Sequence, residues 1–157
     1  MTPAISVIMP VHNGAAWLGD AVASVRAQDF RDFEFLIVDD GSDDGTAAML
    51  SSFAADDRRI RLLRQAPQGI VTALNNGIAA ARAPYLARLD ADDRARADRL
   101  GKQFAFMQTH PEIGLLGTLA EGSMRQGASL AALRRRPTPQ RWRGFSSTPI
   151  RSSIPPP

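Results

Sequence analysis

Residues 33–46 read FEFLIVDDGSDDGT. Apart from Glu34, residues 33–38 are all apolar, although neighbouring side chains on a strand face opposite ways. A near-continuous apolar run of this kind predicts a strand covered on both faces, as parallel sheets require. The run ends in Asp39 and Asp40, and Gly41 permits a tight turn. Ser42 and Asp43 then offer N-caps for an amphipathic helix that continues through TAAMLSSFA. Strand, turn and helix in immediate succession are one unit of an α/β fold.

The pattern recurs on both sides of that stretch. AISVIMP (4–10) is a short apolar, β-branched strand stopped by Pro10. AAWLGDAVASVRAQ (15–28) places Trp17, Ala21, Ser24, Val25 and Gln28 at helical spacing. RIRLLR (59–64) predicts a third strand, GIVTALNNGIAAAR (69–82) a third helix, PYLARLD (84–90) a fourth strand and residues 98–109 a fourth helix. EIGLLGT (112–118) is a candidate fifth strand. The expected fold is therefore α/β, a mostly parallel sheet with helices on both faces and right-handed crossovers. Ligands in such sheets sit at the carboxyl ends of the strands. His12 and Asn13, Asp39 and Asp40, and Asp90 to Asp93 all fall at such ends.

Composition narrows the classes. The chain has no cysteine, which excludes disulfides and thiolate metal sites. Its N-terminus, MTPAISVIMP, lacks the basic and long apolar regions of a signal peptide. No apolar run approaches the roughly 18 residues that span a bilayer. The cytoplasm is the expected compartment, with a peripheral position at the inner face of the membrane as a variant. The net charge of +3 is unevenly spread: residues 1–118 carry 12 Lys+Arg against 15 Asp+Glu, and residues 119–157 carry seven Arg against Glu121. The ordered part therefore offers no basic stripe, and no nucleic-acid partner is expected.

Four stretches carry candidate chemistry, and each has a plainer alternative. In YLARLDADDR (85–94), Asp90, Asp92 and Asp93 repel one another unless a cation intervenes. Mg²⁺ or Mn²⁺ prefers such hard oxygens and keeps positions open for a substrate's phosphates. The alternative is a solvated acidic loop, with Asp93 or Asp98 favouring the positive end of the next helix. In VDDGSDDGT (38–46), a carboxylate can accept from a base or a ribose, or simply serve the turn. In PVHNG (10–14), Pro10 fixes the strand exit, His12 offers a flat ring, and Asn13 with Gly14 turns into a helix. Gly69 begins a helix where a phosphate or sugar can approach backbone N–H groups, and Asn75 and Asn76 lie on that helix; a glycine N-cap and a polar face are the alternative. His110, at a predicted helix end, has no expected site role.

Taken together and in this order, residues 6–46 (SVIMPVHNGAAWLGDAVASVRAQDFRDFEFLIVDDGSDDGT) and 69–93 (GIVTALNNGIAAARAPYLARLDADD) resemble the family 2 glycosyltransferases of GT-A fold. The resemblance runs from about Ile5 to Thr118. It implies a nucleotide-diphosphate-sugar donor, a divalent metal (Mn²⁺ or Mg²⁺), an acceptor that is a glycan, lipid or protein, and inverting transfer, with cell-envelope polysaccharide biosynthesis as the setting. It also implies that Pro10, His12 and Asn13 line the nucleoside pocket and that Asp39 binds the base. Asp90 and Asp92 become the D-x-D pair for ribose, diphosphate and metal, and Asp40, Gly69 and Asn75 are lesser candidates at matching positions.

Two departures stand out. Ala97 occupies the place of a usual proline before the fourth helix. After Thr118 the text turns Arg- and Pro-rich, with six of the 11 prolines. The expected organisation is thus a GT-A nucleotide-sugar-binding domain over 4–118, incomplete on its acceptor side. A tail over 119–157 follows, predicted largely disordered apart from a short helix near 128–136. Such a break suits a truncated or frameshifted gene. The catalytic general base is expected in the missing second half, and the uncovered sheet edge is expected to favour self-association. Alternatives are a nucleotide-binding remnant without turnover, or a Mg²⁺-binding receiver-like signalling domain. The latter is disfavoured by PVHN after the first strand, where an acidic pair would be expected, and by a sole lysine, Lys102, in a predicted helix.

Overall fold

A computed structural model describes residues 2–118 of the protein. Its centre is a pair of parallel strands, β1 (Ile5–Val11) and β2 (Phe33–Asp39), each buried along its whole length. β3 (Ile60–Arg64) pairs with β2, and β4 (Tyr85–Arg88) with β1, so the strand order is β3-β2-β1-β4 and all pairs are parallel. Four helices make the connections: α1 (Leu18–Arg26), α2 (Thr46–Asp56), α3 (Ile70–Ala80) and α4 (Arg99–Thr109).

The two-residue period of the strands divides the core into two layers. Val7, Met9, Phe35 and Ile37 face one side, where they meet Leu18, Val22 and Val25 of α1, Leu50 of α2 and Leu100 of α4. Ile8 and Val38 face the other side and meet α3 at Gly77, where a Cβ would come within 2.6 Å of Ile8 Cγ2. Burial of a Phe, Leu or Met side chain contributes roughly 1.5–3 kcal/mol, and Met9, Leu18, Phe35 and Leu50 are wholly enclosed. The expected parallel sheet with helices on both faces is therefore present. No helix among the described residues is long and apolar enough to cross a membrane.

Three expectations need correction. Trp17 does not belong to the buried stripe of α1, which is Leu18, Ala21, Val22 and Val25; Trp17 precedes the helix and is half exposed. The helix phase starts one residue later than the apolar text suggests. The residue before α2 is Gly45 in a left-handed conformation (φ 93°), not Ser42, whose hydroxyl accepts from Asn13, or Asp43, which is exposed. Residues 112–118 form no strand: Leu115 is 91% exposed, and Gly114, Leu115 and Leu116 line an apolar groove beside β4 and α4. Two glycines in so short a run weaken strand formation. The tail over 119–157, including the short helix expected near 128–136, lies outside the described residues.

Candidate functional site

The register of the two central strands sets Val11 opposite Asp39, so the loops that follow both strands emerge side by side. The Asp40 N–H donates to the Val11 carbonyl (2.9 Å), and His12 Nδ1 lies 2.8 Å from the Asp40 carbonyl. A carbonyl only accepts, so Nδ1 is the donor in this contact. Asn13 turns the chain at a positive φ of 52°, which Asn tolerates better than most residues. Its N–H donates to Ser42 Oγ (3.0 Å), and its own Oδ1 accepts from the Asp43 N–H (2.9 Å). Further along, Thr46 Oγ1 accepts from Gly14 N–H (3.0 Å) and Asp44 from Ala15 N–H (3.1 Å). The polar residues of HNG and GSDDGT thus fasten two rim loops to each other.

Asp40 fastens a third. One carboxylate oxygen accepts from Gln65 Nε2 and from the Gln68 N–H, both at 2.8 Å, and the other accepts from the Gly69 N–H at 2.8 Å. These bonds hold the loop between β3 and α3. The Gln68 N–H holds the Asp40 carboxyl below its ordinary range, with Gln65, Gly69 and His12 adding to the effect against an opposing contribution from burial. Asp44 is lowered in the same way, first by the Thr46 hydroxyl, while its own burial opposes the shift. Both groups therefore stay ionised as the pH falls below the value at which an unfolded aspartate takes up its proton.

At the end of β4 the buried Leu89 anchors the chain, and Asp90 emerges beside it. Asp90 and Asp92 face Pro10, His12 and Asn13 across a cleft of about 310 Å³, with Trp17 and Ile70 on its rim. Arg88 grips Asp90 through both nitrogens of one side of its guanidinium: Nε lies 2.9 Å from Oδ1, and Nη2 lies 2.9 Å from Oδ1 and 3.1 Å from Oδ2. Among the described residues no group of three or more His, Asp or Glu side chains converges as a ready-made metal cage. Two carboxylates at the mouth of an open cleft do fit a hard cation that completes its coordination with water and phosphate oxygens.

Of the residues singled out in the sequence, Pro10, His12, Asn13, Asp40, Asp90 and Asp92 come together around this cleft. Asp39, Gly69 and Asn75 do not line it. Asp39 is buried at the end of β2, where one oxygen accepts from the Ser42 N–H (3.0 Å). Gly69 has φ 87°, and its own N–H is given to Asp40. Asn75 is on the exposed side of α3, and its neighbour Asn76 donates to Gln65 Oε1 (2.7 Å). His110 caps the end of α4 and stacks on Phe106, away from the cleft. Trp17 was not foreseen at the site; its signal is a large aromatic just ahead of the helix, out of phase with the buried stripe.

Residues 6–150 match the family model described as Glycosyl transferase family 2. A glycosyltransferase of Rickettsia felis is 40% identical over 104 residues, covering 66% of this chain and 17% of that protein. EpsE of Bacillus subtilis, which bears the name of a glycosyltransferase, is 33% identical over 118 residues, covering 74% and 42%. TuaG of the same organism, named for teichuronic acid biosynthesis, is 38% identical over 106 residues, covering 67% and 42%. The chain thus spans less than half the length of these relatives. In fold it resembles S. aureus TarS 1–349 in complex with UDP-GlcNAc, with a TM-score of 0.64 at 24% identity, covering 69% of this chain and 32% of that one. It also resembles the mannosyltransferase PcManGT from Pyrobaculum calidifontis in complex with GDP-Man and Mn²⁺ (TM-score 0.63, 24% identity, 68% and 33% covered). A parallel sheet with carboxylates at its strand ends, and a family match over nearly the whole chain, place this protein among the family 2 glycosyltransferases.

Proposed function

We propose that the cleft binds a nucleotide-diphosphate sugar together with Mn²⁺ or Mg²⁺, as the donor side of an inverting sugar transfer. The observation that carries this reading is the meeting of Asp90 and Asp92 with Pro10, His12 and Asn13 across one cleft. His12 and Trp17 offer flat surfaces for a base or sugar to stack on. Asp90 and Asp92 would hold the cation, which supplies charge neutralisation for the diphosphate and its departure. Asp40 acts indirectly, by fixing the rim. Asp39 is assigned to the base on the family resemblance, from its place at the end of β2 beside the rim.

Transfer itself belongs to the whole protein. A general base takes the proton of an acceptor hydroxyl as that oxygen attacks the anomeric carbon. The carboxylates lining the cleft are committed to the loop or to the cation, so this base is assigned to a part of the protein outside the described residues. The acceptor class is a glycan, lipid or protein. The name of TuaG supports a role in cell-envelope polymer synthesis, and the cytoplasm or the inner face of the membrane is the place such a role would need. Self-association is assigned to the outer edge of β4, where Leu86 is half exposed.

Uridine diphosphate is expected to bind at least several-fold more tightly with Mn²⁺ than with chelator, because the acidic loop otherwise opposes the diphosphate. Calorimetry measures this directly. Asp92→Ala is expected to abolish the difference; equal affinity with and without cation in the unaltered protein would remove the metal from the reading. Asp39→Ala is expected to weaken the nucleotide by about 1–3 kcal/mol, the scale of a lost hydrogen bond to a charged group. Unchanged affinity in a folded Asp39→Ala protein would leave Asp39 as a residue of the turn alone.

A further inference from the structure

We propose that Arg88 is a positioning residue that occupies Asp90 in the nucleotide-free protein and makes cation binding depend on the diphosphate; this rests on the reading of Asp90 and Asp92 as cation ligands. Arg88 ends β4 and Asp90 follows two residues later, so the two side chains meet at the strand end, and Leu89 between them is buried and anchors both. Arg99 Nη2 donates to the Arg88 carbonyl (2.8 Å), which secures the strand end from the side of α4. The guanidinium then meets both Asp90 oxygens, with Nε and Nη2 sharing Oδ1 and Nη2 also reaching Oδ2.

A divalent cation therefore finds Asp90 already neutralised. To reach it the cation must displace Arg88 or share the carboxylate with a neighbouring positive charge. The pair is about half exposed (55% and 40% of the two side chains), so it is weak enough to open. A bare cation gains little by opening it, since Asp92 is the only other carboxylate assigned to it. A diphosphate changes the balance. Its oxygens bring further negative ligands to the cation, and they offer the released guanidinium a second bidentate partner. Cation and nucleotide thus help each other, and by thermodynamic reciprocity the factor is the same in both directions. Arg88 is what keeps the cation-only state sparsely populated.

The test measures Mn²⁺ binding to the full chain by loss of the free-ion electron paramagnetic resonance signal, with and without uridine diphosphate. Circular dichroism verifies that each variant is folded. Arg88→Gln is expected to bind Mn²⁺ alone about three- to tenfold more tightly, the effect of removing one partly screened charge next to a divalent ion. Its coupling between Mn²⁺ and uridine diphosphate should fall by a similar factor. Arg88→Lys, which keeps the charge but not the fork, should hold Mn²⁺ alone as weakly as the unaltered protein does. Equal Mn²⁺ affinity in Arg88→Gln and the unaltered protein would overturn the proposal, as would an unchanged coupling. A lack of coupling in the unaltered protein would instead overturn the metal reading beneath it, and the proposal with it.

Discussion

A Glu34→Ala variant is expected to lose about 2–4 kcal/mol of stability, the cost of stranding buried hydrogen-bonding groups and one partner of an ion pair. Glu34 is the one charge inside the apolar run of β2, and it is almost fully buried. Its carboxylate accepts from the Ser6 hydroxyl (2.7 Å), the Arg61 guanidinium (2.6 Å) and the Arg82 N–H (2.7 Å). Ser6 Oγ in turn accepts from the Ala83 N–H (3.1 Å), so the network joins both central strands to β3 and to the end of α3. For a domain of this size the loss corresponds to a fall in Tm of about 10 °C or more. Burial by itself would raise the Glu34 pKa, but Ser6, Arg61 and the Arg82 N–H together outweigh it and bring it below the ordinary 4.5. The sign follows: the stabilisation is fully present above pH 4.5 and fades as the pH falls through the lowered value of the folded state. Thermal melts of the unaltered protein and of Glu34→Gln should therefore converge on acidification below that point. A constant gap down to pH 3 would show that the charge of Glu34 is not what stabilises.

Gly41→Ala is expected to cost about 2–4 kcal/mol, by strain and by overpacking together. Gly41 has φ +73°, and a Cβ there would lie 2.5 Å from Pro67 Cδ and 2.9 Å from the Pro67 backbone nitrogen. Proline backbone cannot swing aside as a flexible side chain can, so the loop held by Asp40 must move. Nucleotide affinity should fall along with stability, because that loop and the turn after β2 form the rim. Gly45→Ala supplies the comparison. Its φ is +93°, but nothing lies within 4 Å of the added carbon, so it shares the strain without the collision. Urea midpoints that fall equally in the two variants would show that the approach of Pro67 is unimportant.

The two-sided burial of FEFLIVD and the alternation around it made the parallel sheet legible before any coordinates, since both depend on local periodicity alone. The cleft was legible in outline because strand ends in such a sheet share one rim. What sequence could not supply was the use of each polar group. Ser42, Asp43 and Asp44 have the composition of helix caps, yet they also reach Asn13 and Ala15 across the rim, and only Asp44 bonds the first N–H of α2, that of Thr46. Glu34 was invisible for the same reason, because its three partners lie 27 to 48 residues away in the chain. Gln28 read as one more position on an amphipathic helix; it is wholly buried and ties α1 to Arg96 and Leu100. The expected fifth strand failed because an apolar run becomes a strand only through a ladder with a neighbour, and residues 112–118 make none with the described residues.

The mutual fastening of the rim loops has a consequence for how quickly a ligand is captured. Loops bound to one another through Asn13, Asp40 and Asp44 are set when the chain folds, so the entropy of arranging them belongs to folding and not to the encounter. A nucleotide then meets a finished wall. Its arrival is governed by diffusion and by the local field, with no slow rearrangement to wait for. The latch proposed beside Asp90 is a single side chain, and a side chain turns in nanoseconds.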